Sequence, residues 1–275
     1  MALFGNSGGQ GRSGIKLLPV LLFGIYGVYY YFSNQETVPV TGRTQLVDIS
    51  RDQEAALGLQ SYRQILRQEN VVTTGQNAET IKAIGARISA VTESSGFKWE
   101  YNLIDSPQVN AFCLPGGKVA VYSGILPVAK NTDGLAAIMG HEIAHAIARH
   151  GAERMAHQKL VQIGTLAAGV AVSDMDPGQQ RAVMGALGVG AQFGLLLPFS
   201  REHESEADYM GLIYLARACF DPTEAPKLWE RMGQASGGKG PAQFMSTHPS
   251  HETRIRQFQQ WMPEALKIRQ EKCGG

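Results

Sequence analysis

Cysteine, excess charge of either sign and long uncharged apolar segments are all scarce in this chain of 275 residues. The three cysteines, Cys113, Cys219 and Cys273, lie far apart without CxxC spacing, which argues against a disulfide framework and against a cysteine zinc site. Their odd number leaves at least one free thiol. The 25 Lys and Arg residues nearly balance 24 Asp and Glu, and a net charge of +1 gives no indication of nucleic-acid binding.

One apolar segment without charge, residues 17–32, follows a tail that carries Arg12 and Lys16. It is somewhat short for a spanning helix, which needs roughly 17–25 residues, but three tyrosines at its end are typical of a membrane interface. No small-residue cleavage site follows it. We therefore predict a transmembrane signal anchor at residues 17–32 after a cytoplasmic tail at residues 1–16. The positive-inside rule then places the rest of the chain outside the cytoplasm.

The remaining chain is predicted to be an α+β, mostly helical domain at residues 50–275, joined to the anchor by a linker at residues 33–49. Apolar residues recur at helical spacing at residues 50–67 and 79–91. Three further segments, residues 132–155, 200–219 and 251–269, are also predicted to be helices. Strand patterns cover residues 97–103, 109–114 and 118–123. These short strands predict a small, mostly antiparallel sheet.

Two further segments, residues 161–172 and 182–198, are rich in Ala, Gly and Leu. Each is shorter than 18 residues and interrupted by Gly, which favours a packed helical hairpin over membrane spans. A hairpin that touches the membrane or gates a cleft is the alternative. Residues 233–243 are predicted to form a flexible loop.

The chemistry of the chain is concentrated in residues 141–145, which read His-Glu-Ile-Ala-His. Residues four apart on a helix lie about 40° apart around its axis, so His141 and His145 can bind one ion. Two imidazoles suit Zn²⁺ and leave positions for a third protein ligand and a water. Glu142 is then placed to act as the general base. We predict one catalytic Zn²⁺ per chain, on a helix that is apolar on nearly every side and therefore buried.

The third ligand is not a histidine on the same segment. The pattern HExxHxxGxxH requires Gly and His where this chain has Ala148 and Gly151. His150 follows His145 by five residues, about 140° around a continuous helix, and is not expected to share its face.

A glutamate from a later helix is the other way to complete the site. Glu202, Glu204 and Glu206 all lie in one acidic segment, and their spacing alone does not choose among them. Glu204 and Asp208 lie four residues apart on one helix face. One of this pair could bind zinc while the other hydrogen-bonds a ligand histidine.

Four segments together resemble one protein family. They are HEIAHAIARH (residues 141–150), SREHESEAD (200–208), NAFCLPGGKVAVYSG (110–124) and THPSHETRI (247–255). They are similar to the zinc metallopeptidases that include HtpX and the CAAX prenyl endopeptidases, over about residues 39–255. Within that family the chain looks most similar to periplasm-facing bacterial peptidases, with the mitochondrial inner-membrane stress peptidase more distant.

The resemblance implies a gluzincin fold with Glu204 as the third zinc ligand and Asp208 beside a ligand histidine. It implies that a substrate backbone pairs with an edge strand, formed here by Val119, Ala120, Val121 and Tyr122. The alternative is an ordinary strand of the sheet. His248 has three open roles: it stabilises the tetrahedral intermediate, closes the site as an extra ligand, or only caps a loop.

These observations predict a membrane-anchored zinc endopeptidase. The resemblance and the predicted anchor place it as a single-pass protein of a bacterial inner membrane, with its catalytic domain facing the periplasm. Its predicted partners are polypeptides, in particular misfolded or misassembled envelope proteins. The alternative is a chaperone-like envelope assembly factor with a normally closed protease site. An intramembrane prenyl-protein protease would need several spans, and one is predicted.

Overall fold

This computed structural model of the protein describes residues 16–94, 96–191, 197–235 and 253–274, with Phe244 and His248. The chain divides into two compact units. The smaller unit comprises Met1–Gln35 and Met155–Pro198, and the larger comprises Glu36–Arg154 and Phe199–Gly275. Every predicted site residue falls in the larger unit.

The described helices are α1 (Leu17–Ser33), α2 (Arg51–Leu66), α3 (Gln76–Ser89), α4 (Leu126–Ala129), α5 (Thr132–Ile147), α6 (His150–Ala171), α7 (Pro177–Ala191), α8 (Leu197–Arg217), α9 (Glu224–Ala235) and α10 (Arg254–Cys273). The strands are β1 (Gln35–Thr37), β2 (Thr44–Leu46), β3 (Val71–Val72), β4 (Glu100–Ile104), β5 (Ala111–Leu114) and β6 (Lys118–Tyr122). A mostly helical chain with small sheets was predicted and is confirmed. The segment predicted as a linker, residues 33–49, contains β1 and β2, which form a sheet of their own.

The larger sheet has the strand order β3-β4-β6-β5. β6 runs parallel to β4 and antiparallel to β5, while β3 is antiparallel to β4. Two of the three pairings are therefore antiparallel, as predicted. The assignment of Val119, Ala120, Val121 and Tyr122 to an edge strand is wrong. These residues belong to β6, whose two hydrogen-bonding sides are occupied by β4 and β5.

Helix α5 carries residues 141–145 and is the central helix of the larger unit. Its N-cap is Asn131, whose side chain accepts a hydrogen bond from Gly134 N at 2.7 Å. The helix is buried on all sides, as its composition predicts. It packs against β5, the edge strand of the sheet, and against α3 and α9. Burial on every side fixes the position of the two histidines that α5 carries.

The predicted helix over residues 132–155 is two helices. Arg149 has a left-handed φ of 60°, which ends α5 and starts α6 in a new direction. The Arg149 guanidinium is buried and stabilises this turn, because it donates to Glu54 Oε2 at 2.7 Å and to the Ile49 carbonyl at 2.6 Å. A buried ion pair and a backbone contact thus outweigh the helical periodicity of the sequence.

In the smaller unit, the apolar segment at residues 17–32 is helical and forms α1. Helices α6 and α7 cover most of the two Ala/Gly/Leu-rich segments, although residues 192–196 lie outside the described part. Among the residues that the structure describes, no helix is both long enough and apolar enough to cross a membrane. The predicted transmembrane span at residues 17–32 is therefore not found. Most of the predicted loop at residues 233–243 lies outside the described residues.

A disulfide joins Cys219, just after α8, to Cys273 at the end of α10. The two residues are 54 positions apart in sequence, with their Cα atoms 5.7 Å apart. The sequence did not indicate this pair, because helix packing brings together two cysteines whose spacing carries no signal. Cys113 remains free, in line with the odd count.

We expect Cys273→Ser to lower the free energy of unfolding by about 2–4 kcal/mol, because opening a long covalent loop raises the entropy of the unfolded chain. Urea denaturation of the full chain without reductant measures this. Cys113→Ser is the control and should unfold near the wild-type midpoint. Equal midpoints for Cys273→Ser and wild type would show that the bond contributes nothing to stability.

Candidate metal centre

The site is built where α5 and α8 cross with their backbones in contact. Both helices carry glycine at the crossing, Gly140 on α5 and Gly211 on α8. A Cβ atom on Gly211 would lie 3.0 Å from the backbone nitrogen of His141, and one on Gly140 would lie 2.7 Å from Leu215 Cδ1. This close approach lets side chains of α8 reach the histidines of α5.

Four buried or half-buried side chains converge beside the crossing: His141, His145, Glu204 and His248. One ligand atom from each lies within 4.8 Å of the others. His141 Nε2 is 3.1 Å from His145 Nε2 and 3.4 Å from Glu204 Oε2. His248 Nδ1 is 3.2 Å from His141 Nε2 and 3.0 Å from Glu204 Oε1. The four side chains could therefore hold one metal ion.

The structure distinguishes the three glutamates that the sequence left open. Glu204 points into the cluster, where its Oε1 lies 3.4 Å from His145 Nε2. Glu202 is exposed. Glu206 is buried and paired with Arg43 at 2.7 Å. Of the three, only Glu204 contacts both histidines of α5.

The donor set fits zinc. Three imidazole nitrogens and a carboxylate oxygen are ligands that Zn²⁺ prefers. His141 presents Nε2 to the cluster because its Nδ1 contacts Asp208 Oδ1 at 3.0 Å. Asp208 is held in turn by Arg254, whose Nη2 donates to Oδ1 at 2.7 Å and whose guanidinium lies over the ring of Trp229. Such outer hydrogen bonds orient metal ligands and fix their tautomers.

The electrostatic field of the cluster favours a cation. Burial lowers the pKa of His141, but its contacts with Asp208 and Glu204 outweigh burial and raise that pKa to about 9. Burial alone would raise the pKa of Glu204, yet the neighbouring His145, His141 and His248 hold it far below its usual range. Burial holds the pKa of His145 well below its usual value. A field that raises the pKa of one buried histidine also attracts a metal cation.

Glu142 lies beside the cluster and is 4% exposed. Its Oε1 is 3.4 Å from His248 Nε2, and burial raises its pKa. A cavity of about 250 Å³ opens next to the cluster, lined by His145, Glu204 and His248 and by Cys113 and Leu114 of β5. The cavity therefore lies between the cluster and β5.

His150 is a residue whose position was predicted wrongly. Because the helix breaks at Arg149, His150 does not lie 140° from His145 on a continuous helix. Its Nδ1 is instead 2.8 Å from His145 Nδ1. No spacing rule in the sequence indicates this contact, since it depends on the left-handed residue between α5 and α6.

Comparison with known proteins assigns the chain to a family. The model of peptidase family M48 matches residues 75–262. The chain is 42% identical to the mitochondrial metalloendopeptidase OMA1 of Schizosaccharomyces pombe, over 87% of this chain and 70% of that protein. It is 34% identical to OMA1 of Saccharomyces cerevisiae, over 90% and 74% of the two chains. A beta-barrel assembly-enhancing protease of Yersinia pestis is 28% identical, over 80% and 46%.

These relatives correct two predictions. The mitochondrial enzymes are more similar to this chain than the bacterial protease is, which reverses the order given by the motifs. The predicted location in a bacterial inner membrane, with the catalytic domain facing the periplasm, is also wrong, because the relatives at 42% and 34% identity are mitochondrial proteins. Motifs at a metal site are shared across the family and carry little information about the compartment.

We expect Gly211→Ala to lower the free energy of unfolding by about 1–3 kcal/mol, because the added methyl group would force the backbones of α5 and α8 apart. Chemical denaturation of the full chain measures this. Gly164→Ala on α6 is the matched control, since no atom lies within 4 Å of its added methyl group. That change should leave stability equal or raise it by up to about 1 kcal/mol. Equal stabilities for the two variants would contradict the tight crossing.

Proposed function

This chain belongs to peptidase family M48 and is a zinc metallopeptidase that acts on polypeptides. From that premise we propose that His141, His145 and Glu204 are the catalytic zinc ligands and that Glu142 is the general base. The observation that supports this most strongly is the convergence of these ligands from two helices within 4.8 Å.

Zinc, when bound, supplies Lewis-acid polarisation of the peptide carbonyl and makes the attacking water more acidic. Glu142 takes the proton from that water and delivers it to the leaving amine. Its raised pKa suits both steps, because a carboxylate that is easier to protonate is a better base and can then act as an acid. Asp208 and Arg254 hold His141 in the orientation that presents Nε2.

We propose that the substrate backbone pairs with β5 instead of β6. β5 is the edge strand that borders the cavity, through Cys113 and Leu114, and among the described strands it pairs with β6 alone. An extended polypeptide added to this edge would lie along the cavity that is lined by His145, Glu204 and His248. Such pairing selects backbone conformation more than side-chain identity. A segment already paired within a folded protein cannot bind in this way.

This requirement for an extended backbone supports a quality-control role. Unfolded or misassembled proteins expose extended segments, whereas folded proteins rarely do. The proposed substrates are therefore misfolded or misassembled polypeptides, although the cleavage sequence is not specified by these contacts.

We propose that His248 is a further ligand that holds the site closed. Its Nδ1 lies among the other three ligand groups, 3.0 Å and 3.1 Å from the two oxygens of Glu204. An imidazole in this position competes with water for the ion. This placement also favours a second candidate function, an assembly factor whose protease site is usually closed. Replacement of the general base, Glu142, distinguishes these two functions.

We expect Glu142→Gln to reduce casein hydrolysis by at least about 10²-fold, since the amide cannot take up the proton. Zinc content, measured by metal analysis of the same full-length samples, should be unchanged, because Glu142 is not among the proposed ligands. Full hydrolysis by the variant would exclude Glu142 as the base. A variant that no longer hydrolyses casein but still replaces the wild-type protein in cells would favour the assembly factor.

We expect His248→Ala to retain zinc and to raise casein hydrolysis several-fold, because water gains access to the ion. His145→Ala is the contrasting variant and should lose most bound zinc. A fall in hydrolysis by His248→Ala at full zinc content would instead assign His248 to stabilisation of the transition state.

A further inference from the structure

We infer that Arg43 positions the metal ligand His145 from a distance, through Glu206 and His150. This inference rests on the proposed role of His145 as a zinc ligand. It adds a function for the N-terminal turn, defined here as residues 38–43, which lies outside the residues 75–262 matched by the family model.

The first step is the contact between two histidines. His145 directs Nε2 into the cluster, and its Nδ1 lies 2.8 Å from Nδ1 of His150. His150 Nε2 lies 3.0 Å from Glu206 Oε2. A carboxylate only accepts hydrogen bonds, so His150 donates from Nε2 and its Nδ1 is free to accept from His145. His145 is thereby kept in the tautomer whose Nε2 can bind a metal ion.

The second step fixes Glu206. Arg43 donates to Glu206 Oε2 from Nε at 2.9 Å and from Nη2 at 2.7 Å. Thr41 donates to the other oxygen, Oε1, at 2.5 Å. Arg43 also binds both oxygens of Glu153 on α6, at 2.9 and 2.7 Å. One guanidinium thus joins the two helices that carry His150 and Glu206.

The third step is the rigidity of this chain of contacts. His150 is 4% exposed and Glu206 is 7% exposed, so water competes little for these hydrogen bonds. The His150 ring is stacked on His203, with centroids 4.1 Å apart and planes 7° apart. His203 is held by Glu153, whose Oε2 is 2.9 Å from its Nε2. The His150 ring, which contacts His145, is therefore held in one orientation by stacking on His203 and by its hydrogen bond to Glu206.

The N-terminal turn can hold Arg43 in place because its own ends are bonded. Val38 N donates to the Arg43 carbonyl at 2.8 Å, and Gly42 N donates to the Val38 carbonyl at 3.0 Å.

The two histidines of α5 are oriented by different means. Asp208 contacts His141 directly, whereas a histidine stands between His145 and its carboxylate.

Zinc affinity of the full-length chain tests the inference, measured by competition with a chromophoric chelator. Arg43→Met keeps the aliphatic stem and removes the guanidinium, and it should weaken zinc binding about 10-fold or more. Arg217→Met is the matched control. Arg217 lies at the end of α8 and is paired with Glu93 at 2.7 Å, so this variant also loses a guanidinium and an ion pair, but away from His150 and Glu206. The zinc affinity of the control should stay within about twofold of wild type.

The absorption spectrum of the Co²⁺-loaded protein gives a second readout, which reports ligand geometry and not stability. The Co²⁺ bands should change in Arg43→Met and remain unchanged in Arg217→Met. Where Arg43→Met fails to fold, His150→Phe replaces it, since phenylalanine keeps the stacking ring and removes the acceptor for His145. Unchanged zinc affinity and an unchanged Co²⁺ spectrum in the folded variant, against a wild type that binds both ions, would overturn the inference alone. A wild type that binds neither ion would overturn the proposed zinc site, and the inference with it.

Discussion

Backbone contact between α5 and α8 is the constraint on which the site depends. Gly140 and Gly211 are each about 1 kcal/mol less favourable in a helix than alanine. Because they lack side chains, the two helices approach more closely at these positions than larger residues would allow. At this separation a glutamate of α8 reaches both histidines of α5. Burial of α5 on every side then prevents the helix from rotating. The geometry of the ligands therefore follows from main-chain packing before any metal binds.

Buried charge explains why the cluster suits a cation. Asp208 and Glu204 are both buried, and Arg254 is paired with Asp208. Burial of carboxylates is unfavourable unless positive charge lies close to them. Asp208 and Glu204 raise the pKa of His141, which favours a proton on this imidazole as the compensating charge. A metal ion held at Nε2 would displace that proton, so metal affinity and pH would be coupled.

Much of the site could be predicted from local patterns, because helical spacing directly relates sequence to geometry. His141 and His145 share a helix face, and the apolar residues around them indicate a buried helix. Within the acidic segment, the choice of Glu204 needed resemblance to a family. Spacing does not report which of three carboxylates faces a neighbouring helix.

The features that were missed depend on contacts between distant segments. His150 contacts His145 only because Arg149 adopts a left-handed conformation, and that conformation is stabilised by Glu54 and the Ile49 carbonyl about 95 to 100 residues earlier. β6 was assigned to an edge because its alternation reveals a strand but not its neighbours in the sheet. The compartment was assigned wrongly because residues that bind metal are selected by chemistry, not by location.

The Cys219–Cys273 disulfide has a topological consequence for a protease of this design. It closes the segment between these two cysteines, which are 54 positions apart, into a covalent ring that includes His248 and Arg254. Any single cut of the backbone inside that ring leaves both fragments joined. A cleaved molecule would therefore keep α10 attached to α8 through sulfur, with Arg254 and Asp208 still on one covalent assembly. Reduction, and not the cut itself, would decide when the fragments separate.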